Sequence, residues 1–209
     1  MRLILGLLLL ATACVGELHW DYITFTQQWA GTLCNFKHCL AKPVDPDFTI
    51  HGLWPTKWPK GEPEECPIAP PFDESLLKPI LKNLRRFWPD LLSTADPDQF
   101  WKHEWYKHGR CAIEDTIIKN EFGYFNTSLL LKSRIPLMEI LKKAGIVPNN
   151  QIIVQKKTAQ LLEIRVCVNP QLQLIDCYDD GVGDLLGDFP HGTANAISCP
   201  TEFILPALN

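Results

Sequence analysis

Apolar and polar positions alternate along Tyr22 to Trp29, where Ile23 and Phe25 are interleaved with Thr24 and Thr26, and this period of two predicts a strand. A second strand-like stretch, Phe48 to Leu53, ends at Trp54-Pro55. Between them, Cys34 to Asp47 reads as a proline-rich loop, and Pro55 to Pro71 gathers enough proline and glycine to predict a long surface loop. The period then lengthens. Asp73 caps a predicted helix through Leu76, Leu77, Ile80, Leu81 and Leu84, with Pro79 tolerated as a kink near its start. Asp96-Pro97 opens another, through Gln99 to His108, with Gly109 as its stop. Leu129 to Leu141 also has helical spacing and ends at Ala144-Gly145. Leu161 to Val168 and Leu172 to Cys177 read as a hairpin turned at Asn169-Pro170. Gly181 to Gly192 is a loop, and the last residues return as an edge strand. Helices and strands mix without a repeating βα rhythm, so the expected class is α+β: a central antiparallel sheet packed by several helices.

The longest apolar run lies at the start. Met1-Arg2 carries one positive charge, Leu3 to Leu10 are almost wholly apolar, and Ala11, Thr12, Ala13, Cys14 and Gly16 are mostly small. That order is a secretory signal peptide, too short to span a bilayer, with cleavage after Ala13 or Gly16. Residues 1–16 are therefore the expected leader and 17–209 a single domain, secreted or held in a lysosomal or other endomembrane lumen. Cysteine usage suits an oxidising compartment. Beyond Cys14 the chain has Cys34, Cys39, Cys66, Cys111, Cys167, Cys177 and Cys199, an odd number without a C-x-x-C pair, which favours disulfides with one thiol left over. Asn126-Thr127-Ser128 is a glycosylation sequon.

A chain of 209 residues with 46% hydrophobic and 21% charged residues is an ordinary globular length and composition, which excludes a disordered protein. The formal charge of −4 excludes non-specific binding of nucleic acid by bulk basicity, but not an enzyme that grips one phosphate at a time. Protonating all six histidines turns −4 into +2, so acid makes the chain more welcoming to a polyanion.

The chemistry concentrates in Phe100-Trp101-Lys102-His103-Glu104-Trp105-Tyr106-Lys107-His108-Gly109-Arg110-Cys111. On a helix Glu104 and His108 share a face, with Phe100, Trp101 and Trp105 on or beside it, while Lys102 and Tyr106 point away. A carboxylate and an imidazole among aromatics are costly unless paired or in a cleft. A purely structural Glu–His hydrogen bond would read the same way. The run H-E-x-x-x-H sets its histidines five apart, so zinc-peptidase geometry fails. A second cluster, Phe48-Thr49-Ile50-His51-Gly52-Leu53-Trp54-Pro55, would alone suggest a core histidine. Together, the two histidines suit paired acid–base catalysis near an unperturbed pKa of about 6.5.

His51-Gly52-Leu53-Trp54-Pro55 and the run from Phe100 to Cys111 resemble the two active-site signatures of the ribonuclease T2 family, and Gln27-Gln28-Trp29 resembles its first strand. The likeness runs from about Trp20 to Cys177. It implies an endoribonuclease that cleaves single-stranded RNA through a 2′,3′-cyclic phosphate without metal or other cofactor. His108 would take the proton of the 2′-hydroxyl and His51 would protonate the departing 5′-oxygen. Glu104 and Lys107 would stabilise the phosphorane, and His103 would bind phosphate. Trp54 would stack on a base, and Gln28 and Trp29 would line a second base pocket. The implied disulfides are Cys34–Cys39, Cys66–Cys111 and Cys167–Cys177. The expected partner is RNA alone, with no stable DNA binding, no membrane and a monomeric chain. Ala30 and Arg110 depart from the family's usual Pro and Thr. The segment after Gly145-Ile146-Val147-Pro148 looks short, which would leave Cys199 without a partner. That shortening makes the rival reading a secreted protein of the same fold that binds RNA or a partner with weak or no turnover.

Overall fold

The computed structural model describes residues 18–67, 69–94, 96, 98–148, 159–177 and 203–208. The leader, Cys14, Cys199 and the loop Gly181 to Gly192 lie outside the described residues. The fold is α+β, built on a four-stranded antiparallel sheet. In chain order its strands are β1 (Tyr22–Gln28), β2 (Thr49–Thr56), β4 (Glu163–Val168) and β5 (Leu174–Ile175), arranged β2-β1-β4-β5. Two short strands, β3 (Ala159–Gln160) and β6 (Phe203–Ile204), pair in parallel beside it, so the returning C-terminal strand forms a small sheet of its own.

Alternation along β1 sorts the sheet into two faces. Ile23 and Phe25 lie opposite Val168 and Val166 on one side and Pro55 and Leu53 on the other. These apolar rows face the core. Thr24, Thr26 and Gln28 lie opposite Cys167, Arg165 and Glu163, a polar face. β2 reaches three residues further than its hydrophobic pattern suggests, through Trp54, Pro55 and Thr56. It is an edge strand, where a proline costs no ladder hydrogen bond.

The helical elements are α1 (Ala30–Phe36), α2 (Leu81–Phe87), α3 (Gln99–Glu104), a π-helical turn (Trp105–Gly109), α4 (Arg110–Ala112), α5 (Glu121–Arg134) and α6 (Leu137–Lys143). The π turn and α5 lie against β2. Between sheet and helices sit Phe25, Phe48, Leu53, Trp88, Trp101, Trp105, Tyr124 and Phe125, all buried. Four helical expectations change. Cys34 lies in α1, inside the predicted loop. The helix expected after Asp73 is a 3₁₀ turn (Glu74–Leu77) followed by α2, interrupted around Pro79. The Leu129–Leu141 segment belongs to two helices broken at Ile135-Pro136. Gly109 is no stop, because the chain passes through it into α4; a Cβ there would stand 2.5 Å from the Trp105 ring and 3.0 Å from that of Tyr124. That glycine serves close packing instead. The hairpin β4–β5 forms as expected, and all three expected disulfides are present. No described helix is long and apolar enough to cross a membrane.

Candidate active site

The β1–β2 ladder slips by one residue: Thr26 faces Gly52, but Gln27 faces Ile50. His51 is the extra residue of this β-bulge, and bulges re-aim side chains. Its ring turns to the polar face, where Nδ1 hydrogen-bonds the Glu163 carboxylate of β4 from across β1. The bond at Nδ1 fixes the ring's orientation and makes its two nitrogens distinct. The His51 pair and Arg165 hold the Glu163 carboxyl below its usual range, although burial alone would raise it. The imidazole packs against the ring of Phe100, at 5.8 Å between centroids, and edge-on to Trp54, at 5.1 Å.

Glu104, Lys107 and His108 come from α3 and the π turn. In a π turn the hydrogen bonds run from i to i+5, so each residue advances by less than the 100° or so of an α-helix. Lys107 and His108 therefore point closer together than regular helix would allow. Trp54 joins the two halves of the site. Its indole N–H donates to Glu104 Oε2 at 2.9 Å, and its ring lies 5.3 Å from that of His108. The two imidazoles thus flank one indole. Gly52 makes room for this, since a Cβ there would stand 2.1 Å from Trp54 Nε1 and 2.4 Å from Glu104 Oε2.

Burial dominates the titration of both groups. It pushes the Glu104 carboxyl up to about 7, against the pull of His51, the Trp54 N–H and Lys107. It pushes His108 down to about 2, helped by the charges of Lys107, His103, His51 and Arg165. His108 therefore stays neutral in acid, and the charge of +2 expected from six protonated histidines is not reached by this residue. The raised Glu104 value means that the native state holds a proton the unfolded chain releases near 4.5. Its contribution to stability is complete below that pH and is lost as pH rises through about 7. His108 works in the opposite sense, so the comparison with Glu104→Gln isolates the carboxyl. The wild type should lose melting temperature relative to Glu104→Gln between pH 4.5 and 8 in calorimetric scans; parallel curves would contradict the buried proton.

The loop after β2 brings carboxylates to the same place. Glu62 Oε2 lies 3.7 Å from His108 Nδ1, and Glu64 Oε1 lies 3.4 Å from Lys107 Nζ. The Glu65 N–H donates to the Lys107 carbonyl at 3.0 Å, and the Cys66–Cys111 disulfide ties the loop to the helix. Arg110 donates to the carbonyls of Pro67 and Ala69 and so braces the same loop. Among the described residues, Glu62, Glu64 and His108 are the group whose ligand atoms, within 4.8 Å of one another, could hold a metal. The cations Lys107 and Arg165 beside them suit an anion better.

His51, Trp54, Glu104, Lys107 and His108 are thus brought together. His103 lies on the same helix, near enough for its charge to bear on His108. Gln28 is at the end of β1, opposite Thr49 and Glu163. The two tryptophans expected at bases are both buried. Trp29 is wholly buried against Phe48, and its N–H donates to the Pro206 carbonyl at 2.7 Å. Trp54 is 5% exposed, with the Arg165 guanidinium 4.9 Å over its ring, and acts as the strut between Glu104 and the imidazoles. Asn126 is exposed on α5. Glu62, Glu163 and Arg165 were not among the expected site residues. The alternation Glu163-Ile164-Arg165-Val166-Cys167-Val168 marks the last two as one polar face, but only the pairing of β4 with β1 brings them to His51.

Comparison with known proteins points one way. The family model of the ribonuclease T2 family matches residues 20–180. Ribonuclease Oy of Magallana gigas is 31% identical over 186 residues, covering 76% of this chain and 87% of that protein. Ribonuclease T2 of Sus scrofa is 32% identical over 191 residues, covering 78% and 92%. In structure, RNase NT in complex with 5′-AMP superposes with a TM-score of 0.68 at 26% identity, covering 90% of this chain and 99% of that one.

Proposed function

We propose, from the premise that this chain belongs to the ribonuclease T2 family and is an endoribonuclease, that it cuts single-stranded RNA by two-step acid–base catalysis without a metal. His108 takes the proton of the ribose 2′-hydroxyl and the oxygen attacks phosphorus. The bond to the 5′-oxygen breaks as His51 protonates the leaving group, giving a 2′,3′-cyclic phosphate. Water then opens the ring with the roles exchanged: His51 takes its proton and His108 returns one to the 2′-oxygen. Each proton transfer is worth roughly 10²–10⁴-fold.

The environments divide the labour. Burial keeps His108 in its neutral, proton-accepting form, and the charge of an incoming phosphodiester raises its basicity. Glu163 holds His51 by Nδ1 and stabilises its charged form, leaving Nε2 to give a proton. Glu104, protonated below about 7, donates a hydrogen bond to a non-bridging oxygen, and Lys107 supplies a point charge there. His103 and Gln28 are the remaining substrate contacts in this reading. The observation that carries it is the pair of imidazoles flanking the indole that holds Glu104.

The same chemistry favours an acidic lumen. A leader over residues 1–16, a mature domain over 17–209, export to the exterior or a lysosome-like compartment, and a glycan on exposed Asn126 complete the proposal, supported by three disulfides. The binding of 5′-AMP by RNase NT supports a mononucleotide-sized site here. DNA lacks the attacking hydroxyl and is expected neither to be cut nor to bind stably, and the chain is expected to act as a monomer. The test is RNA cleavage with EDTA across pH 4 to 8, with product ends identified. Chelator-resistant cleavage, falling above neutral pH and leaving cyclic phosphate ends, is expected. Intact RNA despite binding would instead favour a binding protein without turnover, and loss with EDTA a metal mechanism.

A further inference from the structure

We propose that Arg165 is a phosphate-binding residue of this enzyme, and that the carboxylate of Glu62 occupies the position of the scissile phosphate until substrate displaces it. The proposal rests on the ribonuclease reading and goes beyond the motif residues that carry it. Arg165 stands on the polar face of β4, in register with Thr26 and through it with Gly52. Its guanidinium lies over the Trp54 ring at 4.9 Å, and its side chain is 23% exposed, so it is placed by packing and still open to a ligand. Its Nη2 makes only a long ion pair, 3.7 Å, with Glu163 Oε2, while Oε1 of that carboxylate bonds His51. A guanidinium beside the indole that joins the two imidazoles can offer the two-oxygen edge of a phosphate a matching pair of donors.

Glu62 marks where that phosphate sits. Its Oε2 lies 3.7 Å from His108 Nδ1, and although burial raises its carboxyl above the usual range, the charges of Arg165, Lys107 and His51 pull against that rise. A base within 3.7 Å of the carboxylate, with the charges of Arg165, Lys107 and His51 bearing on it, is a setting that suits the oxygens of a phosphodiester. Glu62 follows Gly61, whose φ of +87° opens the turn closed by the Lys57–Gly61 bridge. Farther along, the loop is tied at Cys66. The carboxylate is therefore carried by a short tethered segment that can yield a side chain without losing its anchor.

Titration calorimetry at pH 7 with 5′-AMP and with adenosine separates phosphate from base. Arg165→Gln should weaken 5′-AMP by about tenfold, as expected for a lost charged hydrogen bond, and leave adenosine within about twofold. Arg165→Lys should fall between, because it keeps the charge but not the fork. Glu62→Gln should tighten 5′-AMP by about threefold or more, with adenosine unmoved, since a competing charge has been removed. Thermal melting of each variant confirms folding, and Arg165→Lys serves if the Gln variant is unstable. Unchanged 5′-AMP affinity in both arginine variants would overturn the proposal, as would equal loss of adenosine, which would make Arg165 a prop for Trp54. A Glu62→Gln protein that binds 5′-AMP no better would overturn the second half. A wild type that binds neither ligand and cuts no RNA overturns the ribonuclease reading itself.

Discussion

His108→Ala and His51→Ala should each lower kcat for RNA cleavage by about 10²–10⁴-fold, with little change in KM. In the proposed mechanism both imidazoles act on protons that move only in the transition state, so binding of the ground state should survive their loss. The double variant should fall no further than the worse single one by more than about tenfold, because the two groups serve the same step and their effects are not additive. The variants are expected to differ with pH. Without His51, the residual rate should lose the fall above neutral pH that depends on a protonated acid and keep the part that depends on Glu104. Steady-state kinetics on a dinucleotide, with circular dichroism to confirm folding, decides the matter. A histidine variant with wild-type kcat would remove that residue from the mechanism.

The second large effect is expected from a change that removes no functional group. Gly52→Ala puts a methyl 2.1 Å from Trp54 Nε1, 2.4 Å from Glu104 Oε2 and 2.6 Å from Trp54 Cε2. Both neighbours are buried, so neither can swing into solvent, and the indole must leave its hydrogen bond with the carboxyl. Overpacking of this kind costs about 1–3 kcal/mol of stability. Misplacing a catalytic group by about 1 Å can cost a further 10²-fold in rate. The Ala variant should therefore melt lower and lose roughly two orders of magnitude in kcat. Trp54→Phe separates the causes, because it deletes the N–H donor while keeping much of the ring. Retention of both melting temperature and rate in Gly52→Ala would mean that the Trp54–Glu104 strut has slack that the geometry does not show.

The candidate site was more legible than the scaffold that aims it. Five of the grouped residues, His51, Trp54, Glu104, Lys107 and His108, stand in two short runs, and a run survives any folding of the chain between. β1 was readable because Ile23 and Phe25 bury one face over a period of two. α1 was not, because Gly31, Thr32 and Asn35 have weak helix propensity. That helix is held from outside, with Thr32 donating to the Leu161 carbonyl and Gly31 packed under the Pro206 and Ala207 carbonyls. The π turn is likewise invisible locally, since Gly109 signals an end until Tyr124 lies against it. The burial of Trp29 and Trp54 is not legible in the sequence, because it depends on partners far along the chain. Arg165 and Glu163 needed the same non-local information.

The extra residue at position 51 limits how β2 can vary in length. Thr49 and Ile50 keep one phase with β1 and the residues from Gly52 onward keep another, so the strand carries a frame change at its most chemical position. Deleting a residue there would restore an even ladder and roll the imidazole toward the greasy side, whatever side chains were kept. Point changes nearby leave the frame intact. Drift in substrate preference should therefore collect in the turns beyond Thr56, while indels within Thr49–Thr56 should be lethal to turnover even when they preserve every letter of the signature.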